Sequence, residues 1–415
     1  MRSRRRSPLF PIFLIVLVDI FGLALVIPLL PLYAEHLGGT ALQATLLVST
    51  YAACQFFSAP VLGMLSDRYG RKPVLLVSQM GTLVAWLLMA RAEHLWVLFA
   101  ARTIDGFTAG NLSTAQAYIS DNTLPENRAK SFGLIGIAFS LGFLGGPLIM
   151  IVLAKYAMAA PFYVSAGLSF TSILCTLFLL PSGAPKEARG AEGDGGPGGR
   201  RPSPFAFGMY AHYLRRPVLG GLYLQFFWFI FAFATFNSGF ALFCTQRFTW
   251  QGLPFGRPQI GYALMYVAFL SIMIQGGLLG RLVKRFGEAA LVATAFLLMA
   301  IGYAALGQID DAVPQIAFAA TFAGIGNSLL RPNLSSLITL VADRSEQGAA
   351  IGMSQSLGSI AQIIAPALAG LLIWRGHLTA WATVAGSAAA MGLLFAKWGS
   401  ARVPPRRESK APVAA

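Results

Sequence analysis

The 415-residue chain is short of charge: Asp, Glu, Lys and Arg make up 11% of it, against about 25% in soluble domains. It is shortest of acids, with 16 Asp and Glu beside 31 Lys and Arg. Cysteine is also scarce. Cys54, Cys175 and Cys244 each stand alone in an apolar stretch, with no CxxC spacing, which argues against a metal cluster or disulfide framework and leaves three small hydrophobes. His36, His94, His212 and His377 are scattered and form no ligand set. With no nucleophile–base pair and no phosphate loop, the chain does not read as an enzyme, and no metal is expected.

Apolar residues are plentiful: 56% of the chain is hydrophobic, including 31 Phe. Such a chain cannot hide its apolar surface in one soluble core, so lipid is the expected solvent. The net charge of +15 would suit nucleic acid only if the basic residues formed a face. They sit instead in short clusters between apolar runs, so no nucleic-acid partner is expected.

A bilayer span needs roughly 17–25 residues, and twelve apolar runs qualify. The first six are Leu9–Leu32, Leu42–Leu65, Val74–Ala90, Leu95–Tyr118, Ser131–Leu153 and Phe162–Leu180. The second six are Val218–Leu242, Ile260–Leu282, Ala289–Leu306, Ile316–Leu340, Ala349–Trp374 and Thr379–Ala396. The basic start imitates a signal peptide, but no small-residue cleavage site follows, so the first run reads as a retained helix. Basic clusters at 2–6, 68–72, 128–130, 186–216, 281–285 and 397–410 all fall on one side of this arrangement. The positive-inside rule makes that side, and both termini, cytoplasmic.

Residues 182–216 hold a Gly-rich, charged stretch too polar for lipid. They read as a cytoplasmic linker between a six-helix bundle (1–181) and a second (217–400), with a cytoplasmic tail at 401–415. The halves repeat. GMLSDRYGR at 63–71 recurs as GRLVKRFGE at 280–288, and 133–147 matches 352–366 at nearly the same offset. Two six-helix units related by an axis along the membrane normal create a site at their interface near midplane. That geometry favours solute transport.

The loop GMLSDRYGRK (63–72) resembles the signature loop of the major facilitator superfamily, G-x-L-[SA]-D-x-x-G-R-[KR]. Gly63 and Gly70 suit close helix approach and a tight turn. Asp67 is an anion suited to a helix N-terminus or a basic partner, and Arg68, Arg71 and Lys72 suit carboxylates or lipid phosphates. The resemblance implies a cytoplasmic gate, with Asp67 facing Gly348–Ala349 at the start of the eleventh span. A second set of motifs is similar to the twelve-helix drug:proton antiporters, tetracycline exporters among them. These are Asp19–Gly22 (DIFG) with PLLP at 28–31, Arg102 and Gly106 (R-x-x-x-G) continuing into 117–136, and Gly142, Gly146 and Pro147 (G-x-x-x-G-P). Met150 and Ile151 stand where that group carries two small residues. Pro147 and its repeat-mate Pro366 are either symmetric bends that let the halves rock or fixed kinks.

Charges inside the membrane are costly and mark pathways. Asp19 is ten residues past Leu9, about 15 Å deep at 1.5 Å per residue. Arg102 and Asp105 are three apart, on one helix face. The three are the candidate proton-coupling residues, with Asp105 outside the family pattern. In the bland alternative Arg102 and Asp105 are a fixed ion pair. Arg331, before Pro332, either faces a cavity to bind an anion or snorkels to lipid phosphates. In the superfamily spans 1, 4, 7 and 10 line the cavity, which makes Asn111, Gln116, Gln225, Asn237 and Asn327 the candidate polar lining. Phe226, Phe227, Trp228 and Phe229 are a candidate aromatic wall.

The resemblance implies an all-α membrane protein of the major facilitator fold, twelve helices in two pseudo-symmetric six-helix bundles. It implies a monomeric, proton-coupled exporter of small amphiphilic molecules in the bacterial inner membrane. Its partners are the substrate, protons and the lipid bilayer, with the proton gradient in place of a cofactor. A metabolite uniporter or proton symporter is the alternative within transport, and a non-transporting receptor or scaffold the one outside it.

Overall fold

A computed structural model describes residues 9–122, 128–153, 156–181, 214–309, 313–342 and 347–400. Most of the expected linker, the basic N-terminus and the tail therefore lie outside the described residues.

The described residues form twelve helical rods. In the first half these are α1 (Leu9–Val26) with α2 (Leu30–His36), α3 (Ala41–Tyr69), α4 (Arg71–Ala90), α5 (Leu95–Phe107) with α6 (Asn111–Asn122), α7 (Arg128–Leu153) and α8 (Ala160–Leu179). In the second they are α9 (Pro217–Arg247), α10 (Arg257–Met273) with α11 (Leu279–Phe286), α12 (Glu288–Leu306), α13 (Val313–Val341), α14 (Gln347–Trp374) and α15 (Leu378–Ser400). Among the described residues eight rods are long and apolar enough alone to cross a membrane, and α1 with α2 makes a ninth. A two-stranded hairpin, β1 (Thr249–Trp250) against β2 (Leu253–Pro254), fills the turn after α9.

Three rods expected to be continuous are interrupted. The first bends by 42° between α1 and α2, where Pro28 and Pro31 remove backbone donors. The fourth breaks at Thr108–Gly110, where the Gly110 amide bonds the Thr108 carbonyl at 2.7 Å. Between α10 and α11 the chain takes one π-helical stretch, Ile274–Leu278. Elsewhere local chemistry sets the ends. Thr40 and Gln43 cap α3 reciprocally, at 3.3 and 2.9 Å. Gly70 (φ 98°) and its repeat-mate Gly287 (φ 76°) make the turns into α4 and α12, in a region side chains rarely adopt.

Within the first group α1 packs on α7 and α8, α4 on α5 and α8, and α3 on α5. Within the second α9 packs on α14 and α15, α12 on α13 and α15, and α10 on α13. The groups meet chiefly where α3 lies along α14 and α7 along α10. The buried apolar residues show how tightly. At the end remote from the 63–72 loop, one cluster joins both groups, including Leu29, Tyr33, Met89 and Phe162 with Phe243, Phe248, Ile316 and Trp381. Towards the loop end there are two separate clusters, one drawn only from 12–180 and one only from 219–396. Among the described residues the groups are sealed together at the far end and share no such cluster towards the 63–72 loop, so the cleft between them is read as opening on that side.

Candidate functional site

The densest charge in the interior is on α5. Arg102 and Asp105 are 3% and 4% exposed, and Arg102 Nη1 donates to Asp105 Oδ2 at 3.0 Å. Thr82 Oγ1 of α4 donates to the other carboxylate oxygen at 3.1 Å. Arg102 has a second set of partners on α3. Its guanidinium lies 4.3 Å from the Tyr51 ring centroid, and its Nε reaches the Leu47 carbonyl at 3.5 Å. Removing one member of a buried pair costs about 3–5 kcal/mol, because the other charge is left in low dielectric. Arg102 has a carbonyl and a π-face as partners besides Asp105. Gly106 makes this approach of helices possible: a β-carbon there would sit 2.6 Å from Cys54 Cβ and 2.7 Å from the Tyr51 carbonyl oxygen. Ser58 Oγ also donates to the Gly106 carbonyl at 2.8 Å.

Asp19, half-buried on α1, has separate neighbours. Its carboxylate interacts with the Ser172 and Asn111 side chains, and Asp105 is near enough to repel it. Gln79 Nε2 donates to Ser172 Oγ at 2.7 Å, leaving the hydroxyl proton for Asp19. Behind Asp19, α7 presses on α1. A β-carbon at Gly142 would lie 2.5 Å from Ile20 Cγ2, and one at Gly146 would lie 2.7 Å from the Ala24 carbonyl carbon. Pro147 lies within the continuous helix α7. The antiporter-like motif thus holds the helix that carries Asp19.

The 63–72 loop is tied within its own half. Arg71 pairs with Asp67 at 2.6 Å and with Asp121 of α6 at 2.9 Å, and its Nη1 donates to Ser66 Oγ at 2.5 Å. Two expectations are corrected. Lys72 Nζ donates to the Leu177 and Leu180 carbonyls, both at 2.8 Å, capping the end of α8 instead of binding a carboxylate or phosphate. Among the described residues Gly63 makes no close helix contact, since a β-carbon there would meet nothing within 4 Å. Arg68 is exposed and lies over the Tyr69 ring. The side chains of Gly348–Ala349, the expected partner of Asp67, lie outside the described residues.

The candidate lining divides. Asn111 joins Asp19, while Gln116 and Asn237 are half-buried. Gln225 is fully buried and donates to the Phe395 carbonyl at 3.3 Å. It ties α9 to α15 and does not line the cleft. Asn327 Nδ2 donates to the Tyr303 hydroxyl at 2.9 Å, pairing α13 with α12. The aromatic wall is also revised: Phe226 and Phe229 are buried in the second-half core, while Phe227 and Trp228 are half-buried. Sequence reasoning missed Tyr51, Thr82, Gln79 and Ser172. Neutral polar residues in long apolar helices carry no one-dimensional signal of which face they take.

The profile of the Major Facilitator Superfamily matches residues 12–307 and 253–415. The chain is 30% identical over 376 residues to the class C tetracycline resistance protein of Escherichia coli, covering 88% of this chain and 89% of that one. It is 32% identical over 372 residues to the class G protein of Vibrio anguillarum, covering 87% and 89%. In three dimensions it is similar to the human organic anion transporter MFSD10 (TETRAN). There the TM-score is 0.71 and the identity 24%, over 95% of this chain and all of that one.

Proposed function

The chain belongs to the major facilitator superfamily, and from that premise we propose that it is a proton-coupled exporter of small amphiphilic organic molecules, working by alternating access. Membership makes it a multipass membrane transporter of small solutes and not an enzyme. The finer reading rests on one observation, the buried Arg102–Asp105 pair with its ready alternative partners on α3.

A proton arriving at Asp105 neutralises the carboxylate and frees Arg102 to its Leu47 and Tyr51 contacts. Those residues lie on the helix whose Thr45 packs against α14 across the sealed end. Protonation is thereby linked to the seam that must part when the cleft changes sides. Proton entry contributes about 2.3 kcal/mol per charge at 100 mV, plus the pH gradient. The cleft opening at the 63–72 loop supports substrate loading from that side, which the basic clusters make cytoplasmic. We take the bundles as 1–181 and 217–400, both termini as cytoplasmic, the location as the bacterial inner membrane and the working unit as a monomer.

The test is Asp105→Asn in everted vesicles with a pH-sensitive dye and a panel of cationic, neutral and anionic compounds. Wild type should release protons on substrate addition, and the variant should reach the membrane yet give no signal. A variant with the wild-type response would remove Asp105 from the coupling.

A further inference from the structure

The second half has one charge deep in its spans, and it is a cation. Within residues 217–400 the acids are Glu288, Asp310, Asp311, Asp343 and Glu346; Glu288 opens α12, and the other four lie outside the described residues. Arg331 lies ten residues inside the end of α13, about 15 Å at 1.5 Å per residue. Among the described residues no salt bridge reaches it. Glu288 bonds Ser336 at 3.4 Å, more than a turn further along α13. Arg331 is exposed, and the turn before it on α13 is joined to α10 by the Ser328–Ser271 contact.

Its surroundings are polar and roomy. A helical side chain lies back over the turn before it, which for Arg331 is the turn of Asn327 and Ser328. Ser328 Oγ meets Ser271 Oγ of α10 at 2.7 Å, and Gln275 Nε2 donates to the Ser328 carbonyl at 3.3 Å. Gln275 is exposed and belongs to the π-helical stretch. A π-turn inserts a residue and rotates the rest of the helix, a device found often at binding sites. The next two residues, Gly276 and Gly277, have nothing within 4 Å of where a β-carbon would be. A guanidinium with no ion-pair partner among the described residues, one turn from a serine that the Gln275 amide of the neighbouring helix reaches, has the donors to receive an oxyanion.

We propose that Arg331, with Gln275 of the facing helix as a second polar group, is the anion-recognition point of the cleft and binds the carboxylate, phosphate or sulfonate of the transported molecule. This rests on the transport reading but narrows the substrate class to amphiphiles carrying an acidic group. An uncompensated cation at this depth is expensive, and the cargo supplies its counter-charge. The half that handles protons and the half that recognises the anion are then different halves.

The test measures binding on the purified full-length protein in nanodiscs without a gradient, so it is independent of proton coupling. The probes are aryl carboxylates of one to three rings, each with its neutral carboxamide. Wild type should bind the best carboxylate at least tenfold more tightly than its amide. Arg331→Gln should erase that preference while leaving amide binding within about twofold, Arg331→Lys should keep part of it, and Gln275→Ala should reduce it. Nanodiscs with and without anionic phospholipid separate cargo from lipid headgroup. The same preference in both supports the cleft assignment, and an Arg331 effect confined to anionic discs would assign the residue to lipid and overturn it. A wild type without a carboxylate preference overturns it whatever the variants do. Retained preference with no vesicle flux would sink the exporter reading and leave this one standing.

Discussion

Gly370 of α14 lies so close to Thr45 of α3 that a β-carbon on the glycine would overlap the threonine hydroxyl. The same β-carbon would stand 2.9 Å from Leu42 Cα and 3.0 Å from the Ala41 carbonyl oxygen. Backbone cannot turn aside as a side chain can, so Gly370→Ala must push the two helices apart at the sealed end. Overpacking of this kind costs roughly 1–3 kcal/mol. That moves the balance between far-end-closed and far-end-open states by roughly 5- to 150-fold. Spin labels at the exposed positions Gln43 and Arg375 should show a longer distance in the variant. An unchanged distribution would mean that the seam does not set the equilibrium.

The Arg102–Asp105 pair should show strong coupling in a double-mutant cycle. Arg102→Ala strands the Asp105 carboxylate and should cost about 3–5 kcal/mol of stability, whereas Asp105→Ala leaves Arg102 its Leu47 and Tyr51 contacts and should cost less. The double variant strands nothing and should cost clearly less than the sum. Thermal unfolding in detergent reads this directly, and additive losses would count against a mutual pair.

The glycines of α7 should differ in sensitivity. At Gly142 the intruding β-carbon meets first the Ile20 side chain, with Ile20 backbone at 3.1 Å, whereas at Gly146 it meets the Ala24 backbone at 2.7 Å. Gly146→Ala should therefore lower stability or membrane yield more than Gly142→Ala does. The reverse order would indicate that α1 and α7 are packed differently.

Asp67 pairs with Arg71 in this conformation, which leaves it available to the start of α14 only when the loop ends of the halves approach. An anion at a helix N-terminus contributes roughly 0.3–1 kcal/mol exposed and up to about 2 kcal/mol when partly buried. Asp67→Asn should therefore enrich the state open at the loop end by roughly 2- to 30-fold. Distance measurements between labels on the two loops test this. No change at normal expression would leave Asp67 a role in shaping the loop only.

The orientation can be checked with protease. Added to inverted vesicles it should cut the 182–216 segment, and added to intact spheroplasts it should spare it. Cleavage from outside would reverse the assignment of the sealed and open ends.

Much of the fold was legible in one dimension because lipid imposes a length rule, and each apolar run became a rod. Asp19, Arg102, Asp105 and Arg331 were also legible, since charge within apolar sequence is conspicuous. Facing was not. Gln225 looks like cavity lining until its bond to Phe395 shows it turned inward. A helix apolar all round has no strong face, so sequence leaves its rotation open. The interruptions at 108–110 and 274–278 escaped for a related reason. Thr108 closes its turn by backbone bonding, and the π-stretch carries Gln275, which bonds the Ser328 carbonyl of α13, a partner far away in sequence.

The seal at the far end is made of apolar contacts such as those among Phe162, Phe243, Phe248 and Trp381, and the loop end has no equivalent shared between the halves among the described residues. Burial of that kind weakens on cooling, whereas the Asp67–Arg71 pair at the loop end joins residues of one half and seals nothing. The two ends therefore respond unequally to temperature. Chilling should weaken the far-end seal, and with it the preference for the arrangement whose cleft faces the loop.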